Sequence, residues 1–536
     1  MKILLIKPSC TVYKSDPTLP SATLPYGIAY LASYLLSKGE QVKVIDSLSE
    51  GIDCIKKEKN KTKIGLSDKE IEKRIKYFNP DVVGITSMFT AYSQDVHNLA
   101  RLVKKINPDI KVILGGAHAS IYPELSMKDK NVDIVVKGEG EETLWEVVKA
   151  IKKRKDCDDI AGTVIRKGKK IIICSPRQPI KDLDMLPFPA YDLFPMETYL
   201  KVAESSPFLM RSKQCSIISS RGCPGDCSYC SIHSVWGHTW RGRNPKNVVD
   251  EIEFLIKNYG VKEFGFLDDS VACSKKRMGE ICDEITKRNL KIKWSTPNGI
   301  SHWTLDEQLL DKMKSSGCYR ITFGIESGNL KTREFIGWKK NFSLEQAKRI
   351  TKYANKIGLW TISTFILGFP YEDEKSINDT INFAIKSDTD FAIFFLLIPF
   401  PGTKVYEVFK KEGLLNFDNL LDPCTKGRES QIAKLGAALA QVGCRTKYFN
   451  QKELRSFQTK AYKNFWKARF ISFLNPIRVI RKIHSFEDFK YVFKIIYIGL
   501  MLKMNELKHK EITTHMVSGF NKDNLRKEIY APKYTK

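Results

Sequence analysis

The sequence lacks any apolar run long enough to cross a membrane. Its longest apolar stretches, residues 391–400 and 495–502, are much shorter than the roughly 20 residues that a spanning helix needs. A secretion signal is also missing, because only residues 3–6 are apolar before a lysine and a proline, which predicts a first β-strand. We therefore expect a cytoplasmic protein, and contact with a membrane surface stays open.

A disulfide framework and a nucleic-acid-binding motif are absent as well. The thirteen cysteines are scattered at irregular distances, and only those between residues 223 and 230 are closely spaced, as in reduced intracellular proteins. A formal net charge of +27 would suit nucleic acid, anionic lipid or an acidic electron-transfer protein. However, the lysines are spread along the chain without a helix-turn-helix, zinc-finger or RNA-recognition pattern, so we expect no nucleic-acid partner.

The length of 536 residues predicts two or three domains. Over residues 1–150, apolar strand patterns alternate with helical patterns, which predicts a doubly wound, Rossmann-like α/β domain. Ligands of such a domain bind at the carboxyl ends of its parallel strands. One helix has a capping-box start, Ser67-Asp68-Lys69-Glu70, whereas the polar, lysine-rich stretch after the strand at 42–45 predicts a loop.

The remaining chain predicts three further regions. Residues 151–209 predict a hairpin and then an extended linker, since residues 176–195 hold five prolines. Residues 210–415 repeat six strand-helix units, which predicts a partial (β/α)6 barrel similar to a TIM barrel. Residues 416–536 predict an α-helical C-terminal region. Its amphipathic helix over 451–470, rich in lysine and aromatic residues, either packs on the barrel or lies on a membrane surface.

The most informative stretch follows the first barrel strand, where Cys223, Cys227 and Cys230 form the pattern C-x3-C-x2-C. Three thiolates at this spacing can bind three irons of a [4Fe-4S] cluster and leave the fourth iron open. His233 follows Cys230 by three positions, so a structural Cys3His zinc site in a basic binding protein is the alternative. A disulfide is the weakest interpretation, because the cysteine pattern indicates a reducing compartment.

This motif, with Tyr229 directly before its last cysteine, resembles the signature of the radical S-adenosylmethionine (SAM) enzymes. The resemblance implies that the open iron chelates SAM and that an electron, from a donor such as flavodoxin or ferredoxin, cleaves SAM to a 5'-deoxyadenosyl radical. It also implies SAM contacts in the cysteine loop and at the ends of later strands. Each of these residues could instead be structural, as a helix cap or a strand end. The implied contacts are Tyr229, Asp268, Asp269, Glu326, Ser327, Gly368 and Pro370.

The first domain resembles the cobalamin-binding domain that precedes the radical core in one branch of this family. The loop after the first strand, Pro8-Ser9-Cys10-Thr11-Val12, lacks the D-x-H-x-x-G motif of histidine-ligated cobalamin domains. We therefore expect cobalamin to bind without a lower histidine ligand. His118 could ligate cobalt or form a local hydrogen bond. The contacts that the resemblance implies are Ser87, Thr90, Gly115, Gly116, His118, Gly138 and Glu139.

The resemblance implies an enzyme that methylates an unactivated carbon of a small-molecule or lipid substrate, with cobalamin as the methyl donor. Radical cyclisation, oxidation or carbon-carbon coupling in the same architecture is the alternative. The sequence identifies no catalytic residue. Cys273, Cys318 and Tyr319 are candidates for quenching a substrate radical by their chemical type alone.

Overall fold

A computed structural model describes residues 1–13, 22–58, 61–204, 209–337, 343–415, 445–473 and 475–509, without the side chains of 202–204 and 498–509. The chain forms two compact units. The first contains Met1–Tyr199 and Ser234–Trp236, and the second contains Leu200–His233, Gly237–Leu415 and the helices after residue 445. Across these described ranges, no helix is long and apolar enough to span a bilayer.

The first unit is built on a mostly parallel sheet. Its strands are β1 (Lys2–Lys7), β2 (Cys10–Tyr13), β3 (Gln41–Asp46), β4 (Ile55–Lys57), β5 (Lys61–Ile64), β6 (Val82–Thr86), β7 (Lys111–Gly115), β8 (Ile134–Val136), β9 (Thr163–Lys167) and β10 (Lys170–Ile173). Seven of them form one sheet in the order β10-β9-β8-β7-β6-β1-β3, in which only β9 runs antiparallel to its two neighbours, β8 and β10. This is the predicted doubly wound arrangement, with the flavodoxin-like order in its parallel part.

Helices cover the parallel strands, whose side chains are therefore buried on both faces. In β1, for example, four consecutive residues are buried, as is usual for a strand between two helical layers. The predicted capping box is present, because the Ser67 hydroxyl accepts a hydrogen bond from the Glu70 N–H at 3.2 Å. The helices that begin in this unit are α1 (Tyr26–Ser37), α2 (Ser47–Glu50), α3 (Asp68–Phe78), α4 (Ser93–Ile106), α5 (Ala117–Ile121), α6 (Pro123–Met127), α7 (Glu141–Lys152) and α8 (Met196–Glu204).

The prediction of a loop after β3 was wrong. Strands β4 and β5 lie in this segment and form a three-stranded antiparallel sheet with β2. Ile55 and Ile64 pack with Cys10, Val12 and Leu48, so one face of the small sheet is apolar. The many lysines occupy the other positions, and this one-sided pattern is compatible with a strand whose second face is solvated.

The second unit contains the predicted partial barrel. Its strands are β11 (Gln214–Ile217), β12 (Ser220–Arg221), β13 (Arg241–Gly242), β14 (Glu263–Phe266), β15 (Lys293–Ile300), β16 (Cys318–Glu326), β17 (Trp360–Leu367) and β18 (Phe391–Leu396). Six of them form a parallel sheet in the order β11-β14-β15-β16-β17-β18, while β12 and β13 form a separate pair. The carboxyl ends of all six strands lie at one edge, where such folds place their chemistry.

Side-chain caps fix where the helices of the barrel begin. These helices are α10 (Pro245–Tyr259), α11 (Lys275–Lys287), α12 (Glu307–Ser315), α13 (Leu330–Ile336), α14 (Leu344–Lys356), α15 (Glu374–Lys386) and α16 (Lys404–Lys411), and α9 (His233–Trp236) precedes them. Each of α10 to α16 follows a polar residue whose side chain accepts a hydrogen bond from the first turn. The caps are Asn244, Ser274, Asp306, Asn329, Ser343, Asp373 and Thr403.

The C-terminal region is helical where the structure describes it, and its predicted start at 416–444 lies outside the described residues. It contains α17 (Gln451–Phe473), α18 (Pro476–Ile480) and α19 (Phe486–His509). Helix α17 packs against β18 and α15 through Leu454, Ala461, Tyr462 and Phe465. This inner face agrees with the prediction of a helix packed on the barrel.

Candidate active site

A buried carboxylate just after β14 anchors the start of the cysteine loop. Asp268 is 2% exposed and accepts hydrogen bonds from the Ser219 N–H at 3.1 Å, from the Ser219 hydroxyl at 2.7 Å and from the Ser220 hydroxyl. Burial raises the pKa of Asp268, and these donors oppose the shift. The structure thus shows Asp268 fixing the loop, while its contact with SAM stays a prediction.

The next carboxylate holds the first turn of the same loop. Gly222 has a φ of +83°, and a Cβ there would lie 2.4 Å from the Thr239 carbonyl oxygen, so glycine is required. The Gly222 N–H donates to Asp269, whose pKa is raised to about 6 by desolvation. Asp268 and Asp269 therefore bind successive parts of the loop that carries the cysteines.

The residues around the cysteines fit an iron-sulfur cluster. The Gly225 N–H donates to Cys223 Sγ at 3.4 Å, and a Cβ on Gly225 would lie 3.4 Å from that sulfur and 3.8 Å from Cys227 Sγ. Glycine at this position leaves space for both sulfurs to turn toward a shared ligand. Burial raises the pKa of Cys223 and Cys230, and the positive charge of bound iron would favour their thiolate forms.

The zinc alternative finds less support in this geometry. The His233 ring stacks on His238 with centroids 3.9 Å apart, and its Nδ1 lies 3.3 Å from the Gly237 carbonyl oxygen. In the part of the chain that the structure describes, no three His, Cys, Asp or Glu side chains are grouped to hold a single metal ion. In a cubane the thiolates bind different irons, so their sulfurs stand farther apart than around one zinc ion.

A buried acid at the end of β16 faces the cysteine loop. The Thr364 hydroxyl donates to Glu326 Oε1 at 3.1 Å, and the Tyr229 hydroxyl bonds the same carboxyl group. Burial raises the pKa of Glu326 to about 7 and that of Tyr229 well above its usual value. Glu326 also has a φ of +60°, which is strained for a residue with a side chain. Strained, desolvated acids of this kind cluster at functional sites.

Its neighbour Ser327 has its hydrogen bonds satisfied within the protein. The Ser327 side chain is fully buried, and its Oγ lies 3.0 Å from Thr380 Oγ1. The same oxygen accepts a hydrogen bond from the Asn329 N–H at 3.1 Å, just before α13. These bonds shape the turn after β16, and a contact between Ser327 and SAM stays a prediction.

The loop after β17 depends on a carboxylate that the sequence analysis missed. Glu372 Oε2 accepts the N–H groups of Gly368 at 2.8 Å and of Phe369 at 3.0 Å, and Oε1 accepts the Thr332 hydroxyl at 3.2 Å. Burial raises the pKa of Glu372 to about 7. Gly368 has a φ of +96°, and the adjoining Pro370 is buried. The sequence signal that could have identified Glu372 is its position four residues after Gly368, the glycine of the buried turn.

Aromatic contacts bring this loop to the cysteines. The Tyr229 and Phe369 rings meet edge to face with centroids 6.2 Å apart, and Phe335 packs on Phe369 at 6.0 Å. Residues from the cysteine loop, from the end of β16 and from the loop after β17 therefore meet at one end of the barrel. Asp269 reaches the same cysteine loop through Gly222.

The residues that could quench a radical are divided between the two ends of the barrel. Cys318 and Tyr319 begin β16, so they lie at the amino end of the strands, away from the cysteine loop. Both are almost fully buried, and the Tyr319 hydroxyl donates to Glu263 at 2.6 Å. Their role as radical quenchers stays a prediction from chemical type, which does not give position along a strand. Cys273 lies after β14, on the side of the cysteine loop.

The predicted cobalamin residues after β6 and β7 form one interlocked turn. The His118 N–H donates to the Ser87 carbonyl oxygen at 3.0 Å, and the Ser87 N–H donates to Gly115 at 2.7 Å. Gly116 has a φ of +100°, and a Cβ there would lie 2.8 Å from the Ser87 carbonyl oxygen. His118 is 3% exposed and its Nδ1 lies 3.0 Å from Thr90 Oγ1, so the ring forms a hydrogen bond to the loop after β6.

The loop after β8 is a second place where a ligand could approach glycine backbone. The Gly138 N–H donates to Ser120 Oγ at 3.0 Å, and the buried Glu139 accepts the Ile180 N–H at 2.6 Å, which ties the loop to the linker. Beside the first turn, Met88 and Phe89 are 55% and 63% exposed. Open glycine backbone next to exposed apolar side chains fits a large ring such as a corrin, so the residues present suit cobalamin.

Two family models match the chain in the regions just described. A model of the B12 binding domain covers residues 18–148, and a model of the radical SAM superfamily covers residues 217–384. A partial barrel with this cysteine loop defines a radical SAM enzyme. With its first unit the chain belongs to the cobalamin-binding branch of that family, whose cofactors are a [4Fe-4S] cluster, SAM and cobalamin.

Relatives in sequence cover most of the chain. It is 34% identical over 507 residues to an uncharacterized methyltransferase of Pyrococcus horikoshii, a match that covers 94% of this chain and 98% of the relative. It is 31% identical to the cytidylyl-2-hydroxyethylphosphonate methyltransferase of Streptomyces wedmorensis, over 81% of this chain and 88% of that protein. An anaerobic magnesium-protoporphyrin IX monomethyl ester cyclase of Rubrivivax gelatinosus is 27% identical over 80% of this chain and 74% of its own length.

Solved structures share the fold at lower identity. The radical SAM methyltransferase TsrM from Kitasatospora setae, with tryptophan and a SAM analogue bound, aligns with a TM-score of 0.62 over 77% of each chain at 19% identity. The cobalamin-dependent radical enzyme OxsB, with aqua-cobalamin and SAM bound, aligns with a TM-score of 0.60 over 98% of this chain and 75% of its own at 16% identity. At these identities the likeness concerns the fold alone.

Proposed function

We propose that this enzyme methylates an unactivated carbon of a small-molecule or lipid substrate. The observation that carries the proposal is the meeting of the cysteine loop, Glu326 and the 368–370 loop at one end of the barrel, in a chain that also has a cobalamin domain. Two relatives above 30% identity are named as methyltransferases, which supports methyl transfer as the outcome of the radical chemistry.

In this proposal the chain's residues hold three cofactors. Cys223, Cys227 and Cys230 bind the cluster. When bound, the cluster and SAM supply a hydrogen-abstracting 5'-deoxyadenosyl radical, and cobalamin supplies the methyl group. Cobalamin would be held by the glycine turns after β7 and β8 together with Ser87, Thr90, His118 and Glu139, and none of these residues is proposed as a histidine lower ligand.

The SAM contacts are assigned to chemically different roles. Glu326 and Asp269 accept hydrogen bonds from the amine or ribose of SAM, and the raised pKa of Glu326, about 7, makes that binding sensitive to pH. Tyr229 and the buried Phe369 exclude water beside the cluster, and Gly368 and Pro370 shape the adenine side. Asp268 and Ser327 fix the backbone on which these contacts depend, and their own contact with SAM remains part of the proposal.

A second candidate function is a radical reaction without methyl transfer, such as ring closure. The observation that favours it is the identity to the Rubrivivax gelatinosus cyclase over four fifths of this chain. Both candidates use the same cluster and the same SAM site. They differ only in what happens to the substrate after hydrogen abstraction, so the product must be measured.

Mass spectrometry distinguishes the two candidates. Anaerobically reconstituted enzyme is incubated with reductant, cobalamin, SAM carrying a deuterated methyl group, and an extract of small molecules and lipids. Methylation predicts a product that gains the labelled methyl group and depends on Cys227, so the Cys227→Ala variant serves as the control. A product with an unchanged or hydrogen-depleted skeleton and no label contradicts methylation and favours the second candidate.

We also infer the division of the chain and its electron source. The proposed regions are a cobalamin-binding domain at 1–150, a hairpin and linker at 151–209, a radical SAM barrel at 210–415 and a helical region at 416–536. A flavodoxin or ferredoxin is the proposed donor, since its acidic surface suits a chain of net charge +27. Replacing chemical reductant by either protein in the SAM-cleavage assay tests the donor.

A further inference from the structure

The C-terminal helices carry an exposed apolar surface that the proposed reaction does not use. Nine large apolar side chains at the end of α17, on α18 and on the first half of α19 are between 43% and 70% exposed. Soluble proteins rarely expose so many neighbouring apolar groups unless the surface binds a partner or a membrane. We call this surface the C-terminal apolar face. Its members are Phe470, Ile471, Ile477, Ile480, Phe486, Phe489, Phe493, Ile496 and Tyr497.

Helix α19 is apolar on two opposite sides. Its inner side buries Tyr491 and Val492 against Tyr319 and Trp360 of the barrel strands. Its outer side carries apolar residues at 486, 489, 493, 496 and 497, which is the spacing of one helical stripe. The inner side explains why the helix is held on the barrel. The outer stripe needs a different explanation.

The three helices present their outer residues over one shared core. Phe473 from α17, Val479 from α18 and Ile495 from α19 all pack against the cluster that contains Tyr491 and Trp360. Each of these residues is a sequence neighbour of exposed members of the face. The exposed side chains therefore lie on the outside of a single packed layer rather than on three separate surfaces.

The charged side chains of this layer that point inward form ion pairs. The cations that point inward are paired, because Lys482 Nζ lies 2.7 Å from Asp390 Oδ2 and Arg478 lies 3.0 Å from Asp390 Oδ1. The nearby acids are also engaged, since Glu487 pairs with Arg211 and Asp488 is buried beside Lys293.

Three exposed cations that form no ion pair within the described ranges lie close in sequence to members of the face. Lys467, Arg481 and Lys490 are exposed, and none of them forms an ion pair among the described residues. The Lys490 ammonium lies 4.7 Å from the Phe486 ring centroid, so charge and apolar surface are adjacent. In the described part of the chain, the exposed charge beside the face that forms no ion pair is therefore positive.

We propose that the C-terminal apolar face docks the enzyme on the surface of an anionic lipid bilayer. Aromatic and aliphatic side chains would enter the headgroup boundary while Lys467, Arg481 and Lys490 contact acidic headgroups, as in interfacial amphipathic helices. A second copy of this chain is a poorer occupant, because pairing two such faces would bring their cations together. This inference does not depend on which reaction the barrel performs.

Vesicle binding by the full-length protein tests the proposal. The probes are vesicles of phosphatidylcholine alone and of phosphatidylcholine with phosphatidylglycerol, and the readout is co-sedimentation. We expect binding to the anionic vesicles that weakens as salt is added. The double variant Phe489→Ser/Phe493→Ser should bind at least about tenfold more weakly. Replacing Lys467, Arg481 and Lys490 by glutamine should weaken binding by about fivefold for each charge.

A matched control and a folding check keep the result interpretable. Tyr77→Ser removes a ring that is 84% exposed on the first unit, and it should leave vesicle binding unchanged. Circular dichroism and iron content should be equal in all variants, since none of these residues lies in the cysteine loop. A variant that fails the folding check is replaced by the glutamine variant, which keeps the apolar surface intact.

Four outcomes would overturn the proposal. The first is that the wild-type protein fails to bind anionic vesicles, and the second is that it binds them equally well after the phenylalanine changes. Light scattering shows a dimer that the phenylalanine variant dissociates, which assigns the face to a second copy. Removal of residues 510–536 creates vesicle binding that the full chain lacks, which assigns the face to the chain's own C-terminus.

Discussion

Replacing Glu372 by glutamine should reduce the pH dependence of the barrel's unfolding free energy. The carboxylate is 2% exposed, and its two oxygens accept the N–H groups of Gly368 and Phe369 and the Thr332 hydroxyl. A glutamine keeps one oxygen for both N–H groups and offers its amide N–H to the threonine. The loop therefore keeps its anchor while the titrating group is removed.

The magnitude follows from the raised pKa of Glu372. Burial raises this pKa from an ordinary 4.5 to about 7, so the folded protein holds the proton more tightly than the unfolded chain does. The stabilisation is fully present below pH 4.5 and is lost as the pH rises through about 7. This difference corresponds to on the order of 3 kcal/mol in the unfolding free energy.

Urea unfolding at several pH values between about 5 and 8 measures the effect. The buried Trp294 and Trp360 lie in the barrel, so their fluorescence follows its unfolding. The wild-type free energy should fall with rising pH, and that of Glu372→Gln should fall less steeply. Some slope remains in both, because Glu326 has a similarly raised pKa of about 7. Equal slopes for the two proteins would refute the reasoning.

An alanine at the same position separates anchoring from titration. Glu372→Ala leaves three donors without their acceptor, which should cost about 3 kcal/mol at acidic pH. This cost should become smaller as the pH rises, because the alanine variant also lacks the titrating group. Since the loop is the proposed adenine side of the SAM site, its KM for SAM should rise while Glu372→Gln stays near the wild-type value at neutral pH. An alanine variant as stable as the wild type would show that the loop does not need this acid.

Three further outcomes follow from other parts of the second unit. Cys227→Ala should lower the iron content of anaerobically purified protein and abolish SAM cleavage, whereas loss of the exposed Cys54 should change neither. Gly222→Ala should likewise reduce cluster incorporation, since its Cβ would lie 2.4 Å from a carbonyl oxygen; normal iron content would contradict this. Lys482→Met should cost about 3 kcal/mol in thermal unfolding by leaving Asp390 poorly compensated, and adding Asp390→Asn should recover part of that loss.

The barrel strands could be predicted because several sequence signals mark each of them. The six strand-helix units predicted over residues 210–415 have their counterpart in a six-stranded parallel sheet, whose strands include Glu263–Phe266 and Trp360–Leu367. Each buried apolar run is followed by a polar cap and a helical period, so three local signals agree. The small sheet of β2, β4 and β5 was missed because its strands are short and two of them, β4 and β5, are lysine-rich. Its pairing with residues about fifty positions away has no local signal.

The sequence allowed us to predict which residues form the candidate site, but not which of their atoms contact each other. The cysteine spacing and the order of polar residues after the strands lie in the sequence itself. Which oxygen accepts which N–H depends on how loops from different strands meet, as Asp268 shows by binding Ser219, which lies 49 residues earlier. His118 shows the same limit, since its hydrogen bond to Thr90 joins two strand ends that only the sheet order brings together.

The loops around the proposed SAM site share one physical solution. A glycine turn at a strand end leaves backbone N–H groups without partners, and buried carboxylates accept them: Asp269 for Gly222 and Glu372 for Gly368. The raised pKa of each acid reflects the free-energy cost of burying it. The protein bears this free-energy cost when it folds, before SAM binds. The backbone surface is therefore already rigid when the cofactor binds. Loss of either acid should therefore weaken SAM binding more than it slows the steps that follow.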